Sequence, residues 1–382
     1  MTISSKLPAI GSSIFSQMSE LALQQQAINL SQGFPDFAAS PLLIDALARF
    51  SRDGLNQYAP MPGILALRQQ IADVVYSCYQ RQLNPDTEIT LTSGATAALF
   101  VAIQALVRPG DEVIVFDPAY DSYAPAVHLA GGRCVHLNLT APDFNPDWQQ
   151  VADSINARTR LIIVNSPHNP TATVFTANDW QQLSQLVCQH GLYCLSDEVY
   201  EHMVFDGAPQ LSANKLPELA ERTVVVSSFG KTFHVTGWKL GYAVAPAALM
   251  AEFRKIHQYV TFSCFTPAQH AIAEMLAQQR HQVSGLAAFY QQKRDGFVSL
   301  LASSRFGLLH STGTYFQLAD YSAISDEPDL AFCQRLAIEH KVAAIPLSVF
   351  YKQAPAQQRL IRFCFAKTPD TLQQAAQRLC QL

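Results

Sequence analysis

Six short apolar runs rich in Val and Ile recur along the chain. They lie at residues 112–116 (EVIVF), 134–139 (CVHLNL), 160–165 (RLIIVN), 192–195 (LYCL), 223–226 (TVVV) and 240–245 (LGYAVA), bounded by Gly, Pro, Asp and Asn. Several are apolar at consecutive positions. Such runs read as strands buried on both faces, the pattern of a parallel sheet. Helical stretches lie between some of them, and residues 179–190 are amphipathic, with Asn178 as the expected N-cap. Strands alternating with helices predict an α/β fold with a mostly parallel central sheet between helices.

After about residue 280 the pattern changes. A long helix is expected over 285–301 and another near 330–340. Strand-like residues 317–318 and 360–365 flank the second, and a final helix closes the chain. Three parts are expected. An arm over 1–36, with no strand of its own, packs with the last part. A large domain spans 37–280, and a smaller α+β domain spans 281–382.

At 382 residues, with 49% hydrophobic and 15% charged, the chain is long and apolar enough to bury a sizeable core. The net charge of -4 and the lack of a long Lys/Arg run argue against nucleic acid. Small molecules and a second copy of the chain are the expected partners. The eight cysteines are scattered, with no C-x-x-C pair. They read as reduced thiols suited to the cytoplasm, and no metal site is expected. Residues 1–10 lack the basic and apolar regions of a signal peptide. The most apolar stretch, 95–107, is too short to span a membrane.

Gly230-Lys231-Thr232 follows a predicted strand, as at the end of a P-loop, but that motif needs a Gly five residues before Gly230, where Val225 stands. What remains is a lysine after a buried strand, flanked by small residues. On its own it reads as a snorkelling surface lysine. With a task, a desolvated lysine has a lowered pKa, and its free amine can form a Schiff base with an aldehyde. Three other segments sit at comparable places. Asn165-Ser-Pro-His-Asn-Pro-Thr171 is a turn after a strand. Ser196-Asp-Glu-Val-Tyr200 follows another; Asp197 and Tyr200 face one site if a helical turn begins there, and Asp197 otherwise reads as a helix cap. Thr92-Ser-Gly-Ala-Thr96 opens an apolar helix, as either a capped core helix or an anion site. Ligands of open parallel sheets gather beyond the carboxyl ends of strands, where Asn169, Asp197 and Lys231 all fall.

Together these segments resemble the fold-type I, class I aminotransferases, in the methionine and kynurenine/glutamine branch, over nearly the whole chain. The resemblance implies pyridoxal 5'-phosphate as cofactor and Lys231 of the S-x-x-K segment as its Schiff-base lysine. It implies that Ser228, Lys239 and the helix start at Gly94, Ala95 and Thr96 bind the phosphate. Lys239 stands where most relatives have arginine, and Ala172 where the N-P-T-G turn has glycine. Asp197 is implied to hold the pyridine nitrogen, Asn169 and Tyr200 the phenolic oxygen, and Tyr120 to stack on the ring. Tyr58 is implied to reach the phosphate of a neighbouring subunit, in a homodimer with shared sites. Arg362 matches the clamp of the substrate carboxylate, with Gly33 and Asn165 completing that pocket and Ile14 and Phe15 forming its wall. The catalytic set is then Lys231, Asp197 and Tyr200.

The expected activity is transfer of the amino group of an uncharged amino acid to a 2-oxo acid. Methionine is expected first, then aromatic amino acids and glutamine. The segment Gln32-Gly-Phe-Pro-Asp-Phe37 resembles that branch. Residues 258–267 (QYVTFSCFTP) lack the arginine that dicarboxylate-specific relatives place there. Cysteine-conjugate β-lyase or kynurenine aminotransferase activity on the same scaffold is the alternative. A non-catalytic regulatory module is a third reading, but the chain has no spare length or basic segment for a DNA-binding domain.

Overall fold

The structure, a computed structural model, describes residues 3–8 and 10–382. Met1, Thr2 and Ala9 of the expected arm, and of the segment read for a signal peptide, lie outside the described residues. The strands are β1 (Ile28–Asn29), β2 (Ile89–Thr92), β3 (Glu112–Asp117), β4 (Arg133–Asn138), β5 (Thr159–Asn165), β6 (Tyr193–Asp197), β7 (Thr223–Ser228), β8 (Gly241–Val244), β9 (Gly307–Leu308), β10 (Phe316–Asp320), β11 (Val342–Ala343), β12 (Ile345–Pro346) and β13 (Leu360–Cys364). Seven of them form one sheet in the order β2-β8-β7-β6-β5-β3-β4. From β7 to β4 every neighbouring pair is parallel, and β8 runs antiparallel to both β7 and β2.

All six apolar runs are strands of this sheet. The reason several are apolar at consecutive positions is visible in β5. Ile162 and Val164 belong to one buried cluster, together with Trp180, Leu183 and Val187 of the helix Ala177–Gln189. Leu161 and Ile163 belong to the other, together with Leu99, Ala102 and Ile103 of the helix Ala95–Leu106. Successive side chains point to opposite faces, and both faces are covered by helices.

Residues 307–364 hold a second, antiparallel sheet in the order β12-β13-β10-β9. The helices expected after residue 280 are present at Leu286–Leu300, Asp329–Glu339 and Pro369–Leu379.

Three local expectations change. The amphipathic helix starts at Ala177 and is capped by Thr176, not Asn178. Asp179 N donates to Thr176 Oγ1 at 3.2 Å, while the Asp179 carboxylate accepts from Thr176 N at 2.7 Å. That reciprocal box satisfies two backbone N–H groups, which Asn178 inside the first turn cannot do. The arm does contain a strand: β1 pairs parallel with β11, Ile28 opposite Val342. At two residues it leaves no periodic pattern. Finally, Thr92 ends strand β2 instead of opening a helix, which begins at Ala95. Thr90 and Thr92 are fully buried, so polar residues masked a core strand.

The sheet register sets the site. Asn165, the last residue of β5, stands opposite Asp197, the last of β6, and Asp197 stands opposite Val226 of β7. Gly241 lets β8 close in behind β7: a Cβ there would lie 2.6 Å from the Ser227 carbonyl and 3.0 Å from Ala95 N. Replacing Gly241 with Ala should therefore force backbone apart where strand and helix meet. The expected cost is roughly 1–3 kcal/mol, read as a lower urea unfolding midpoint.

Candidate active site

A cleft opens at the carboxyl ends of β5, β6 and β7. Among its lining residues are Asn165, Asn169, Asp197, Tyr200, Ser228, Lys231 and Lys239, with Tyr120 and the helix start at Gly94, Ala95 and Thr96. A second cleft, lined by Phe15, Gln32, Gly33, Phe34, Phe316 and Arg362, shares Tyr120, Asn169, Tyr200, Lys231 and Thr236 with the first. Lys231 thus faces both. Two expected residues line neither cleft. Ile14 packs against the hydrophobic core. Tyr58 is 82% exposed, its ring edge-on to Phe262 at 5.4 Å.

Lys231 lies in the short helix Phe229–Thr232 that leaves β7. Its Nζ donates to Tyr315 Oη at 2.8 Å and to the Gly33 carbonyl at 3.1 Å. Removal from water lowers its pKa to about 8, with Arg362 and Lys239 pushing the same way and Asp197 opposing. A fraction of the amine is therefore free near neutral pH.

Asp197 is buried and accepts from Tyr123 Oη at 2.6 Å. Burial raises its pKa to about 6 against that hydrogen bond. The residues after it form turns and not a helix: Glu201 N bonds Glu198 O and Met203 N bonds Tyr200 O. Those turns bring Tyr200 back over the cleft, its ring 5.7 Å from Lys231 Nζ. Burial also raises the Tyr200 pKa, so its phenol stays protonated.

Arg362, on β13, is 1% exposed, and burial brings its pKa down to about 10. Its guanidinium donates to the Asn169 side chain and to Ser31 O, and lies 3.9 Å from the Phe316 ring centroid. Its Nε has no partner. A buried cation with an unmet donor is suited to a carboxylate. Asn169 N in turn bonds the Asn165 side chain at 2.8 Å.

The other end of the cleft is suited to an oxyanion. The helix Ala95–Leu106 has Gly94 at its N-cap and no side-chain cap, so its first N–H groups are open. A Cβ on Gly94 would come 3.4 Å from Lys239 Nζ, which places that ammonium at the helix start. Ser228 ends β7 beside it. A phosphate at this end, an amine at Lys231 and a carboxylate at Asp197 together fit pyridoxal 5'-phosphate. Among the described residues, no group of three or more His, Cys, Asp or Glu side chains is placed to hold a metal ion.

Sequence reasoning missed Tyr315 and Tyr123, which touch Lys231 and Asp197. Tyr123 follows Tyr120 by three residues. Tyr315 sits in Thr312-Gly-Thr-Tyr-Phe316 ahead of β10. Nothing in either segment taken locally says which polar group it meets.

Residues 25–379 match the family described as aminotransferase class I and II. A methionine aminotransferase of Escherichia coli strain K12 is 54% identical over 378 residues, covering 99% of this chain and 98% of the relative. The kynurenine–oxoglutarate transaminase 3 of Mus musculus is 35% identical, covering 97% of this chain and 88% of its own. The crystal structure of YbdL from Escherichia coli, reported with a methionine aminotransferase function, superposes with a TM-score of 0.98. It is 53% identical, over 100% of both chains.

The cost of burying Asp197 is measurable in the protein without cofactor. Its folded pKa is raised, from 3.8 to about 6. The penalty is absent well below pH 3.8 and complete above pH 6, so this residue makes stability fall as pH rises. Replacing Asp197 with Asn should stabilise the cofactor-free protein by roughly 3 kcal/mol at pH 8 and by about half that at pH 5, compared by urea unfolding.

Proposed function

The chain belongs to the aminotransferase class I and II family, and from that premise we propose that it takes its amino group from an uncharged amino acid, methionine before aromatic amino acids and glutamine. It is a pyridoxal 5'-phosphate enzyme that passes that group to a 2-oxo acid. The observation that carries the substrate reading is the lining of the second cleft. Phe15, Phe34 and Phe316 surround it, and its cations are Arg362 and Lys231. Arg362 is committed to the α-carboxylate in this reading, and Lys231 to the amine chemistry. No lining cation is then left for a distal carboxylate. The 54% identity to a methionine aminotransferase supports methionine as a donor. Kynurenine aminotransfer remains the second reading, supported by the mouse relative.

The roles follow from position. When bound, the cofactor supplies an aldehyde carbon that accepts amines and a pyridine ring that draws electrons from the substrate Cα. The phosphate end is held by the N–H groups of Ala95 and Thr96 after Gly94, the Ser228 hydroxyl and the Lys239 ammonium. Lysine at position 239 gives a point charge where arginine would give a fork. Asp197, fixed by Tyr123, faces the ring nitrogen and keeps it protonated. Asn169 and Tyr200 would hold the phenolic oxygen, and Tyr120 would pack on the ring, since all three line the cleft. Arg362 and Gly33 orient the substrate carboxylate, with Phe15 on the apolar side and Ile14 supporting that wall from the core; Asn165, expected beside them, spends its side chain on Pro167 O, Asp197 O and Asn169 N and so holds Asn169 instead. Lys231, facing both clefts with an amine that is partly free near neutral pH, would be the base that takes the substrate Cα proton and the acid that gives it back.

A homodimer is part of the reading. Tyr58, Tyr259, Val260, Phe262 and Phe265 are exposed apolar residues from two adjoining segments, and Tyr259 is 90% exposed. Such a patch is suited to cover by a second copy, with Tyr58 reaching its phosphate site. The eight unpaired cysteines favour a cytoplasmic setting. Among the described residues, no helix is long and apolar enough to cross a membrane.

Two measurements test this. In a panel of amino donors, kcat/KM for methionine should exceed that for aspartate by about tenfold or more; the reverse order overturns the substrate reading. The purified protein should absorb near the edge of the visible range, with a band that shifts on adding methionine. Lys231→Ala should lack that band.

A further inference from the structure

One buried hydroxyl outside the family motifs meets the reacting amine. Tyr315 is 0% exposed. Its Oη accepts from Lys231 Nζ at 2.8 Å and donates to the Gly33 carbonyl at 2.6 Å. That carbonyl also accepts from Nζ at 3.1 Å, so the three polar atoms close a triangle. The Tyr315 ring has little room to swing. It packs against Tyr200 at 5.1 Å, Tyr290 at 5.5 Å and Phe316 at 4.9 Å between centroids. Gly33 is equally confined: a Cβ there would lie 2.8 Å from the Phe316 ring and 3.2 Å from the Tyr315 ring. Both acceptors therefore sit at defined points.

The geometry points to Tyr315 as a positioning residue for proton transfer, holding the free Lys231 amine and accepting from it once it has become an ammonium. The inference rests on the transaminase reading above. In the step concerned the substrate Cα–H bond breaks. Its proton passes to the Nζ lone pair, and the bonding electrons stay with the substrate carbon, drawn toward the cofactor ring. Nζ then has three N–H donors. Tyr315 Oη and the Gly33 carbonyl accept two, which leaves the third to return the proton to carbon. A buried ammonium without acceptors is costly. The charged or titratable groups facing Nζ are of mixed effect. Arg362 and Lys239 disfavour the ammonium and Asp197 favours it, while burial keeps the Cys364 thiol protonated and uncharged. Neutral acceptors in direct contact are thus the means of making the protonated amine tolerable at this depth.

The test is Tyr315→Phe, which keeps the ring and removes the acceptor. In cofactor-free protein with 15N-labelled lysine, the Lys231 titration followed by NMR should move down by about one pH unit. With cofactor, kcat for methionine should fall about tenfold while KM changes less than about twofold. The isotope effect from Cα-deuterated methionine should rise as proton transfer becomes limiting. Tyr290→Phe is the control. It removes a buried hydroxyl that has no partner and should leave the Lys231 titration in place. If Tyr315→Phe fails to fold, 3-fluorotyrosine at position 315 offers a poorer acceptor of nearly the same shape, with a smaller shift in the same direction. A Lys231 titration and an isotope effect both unchanged would overturn the inference. Absence of amino transfer from every donor in the wild-type protein would instead overturn the transaminase reading, and the apoprotein titration would still decide whether Tyr315 holds the amine.

Discussion

The desolvation of the Lys231 amine is the constraint on which the rest of the site depends. In water an amine of this kind is almost wholly protonated at neutral pH and is no nucleophile. At the end of β7, shielded by the Tyr200 and Tyr315 rings, its pKa falls to about 8. The same lack of water acts on its neighbours according to their charge: the Arg362 cation is pushed down like the lysine, and the Asp197 acid is pushed up. Each of these groups costs free energy to bury. A cofactor bearing a protonatable ring nitrogen and a substrate bearing a carboxylate offset those costs in a way that water-filled space does not. The electrostatics and the ligand chemistry are therefore one argument.

The sheet makes the arrangement possible. Parallel strands end together, so β5, β6 and β7 deliver Asn165, Asp197 and Ser228 to one edge of the sheet. The turns beyond β5 and β6 carry Asn169 and Tyr200, and the short helix beyond β7 carries Lys231. The second sheet then brings Arg362 of β13 and Tyr315 ahead of β10 against them. Close approach is needed at the seams. Gly33 lies against Phe316 and Gly241 against Ser227, and at each a side chain would intrude into a neighbour; Gly94, beside Lys239, holds a φ of +77° that suits glycine.

Much of the fold was legible because strands covered on both faces are apolar at consecutive positions, as in β3, β5 and the antiparallel β8. All six apolar runs became strands, including β4 at the sheet edge. What local pattern could not show was anything stabilised by distant partners. Strand β1 exists because Ile28 N finds the Lys341 carbonyl at 2.8 Å, and nothing near Ile28 in sequence signals that. Strand β2 was hidden by buried Thr90 and Thr92. The Thr176 cap was missed because Asn178 is an equally good capping type; the reciprocal bonds with Asp179 decide the matter.

The sequence by itself determined the layered α/β plan and, through the spacing of its motifs, the segments around Asn169, Asp197 and Lys231, because strand burial and turn chemistry are written in consecutive residues. Only the tertiary structure decided which groups meet. It left Ile14 outside both clefts and Tyr58 on the surface of the chain. It placed Tyr123 on Asp197 and closed Tyr315 and Gly33 around the Lys231 amine. Those contacts join residues up to 282 positions apart. Their geometry comes from the packing of two sheets and their helices, which no local window of sequence contains.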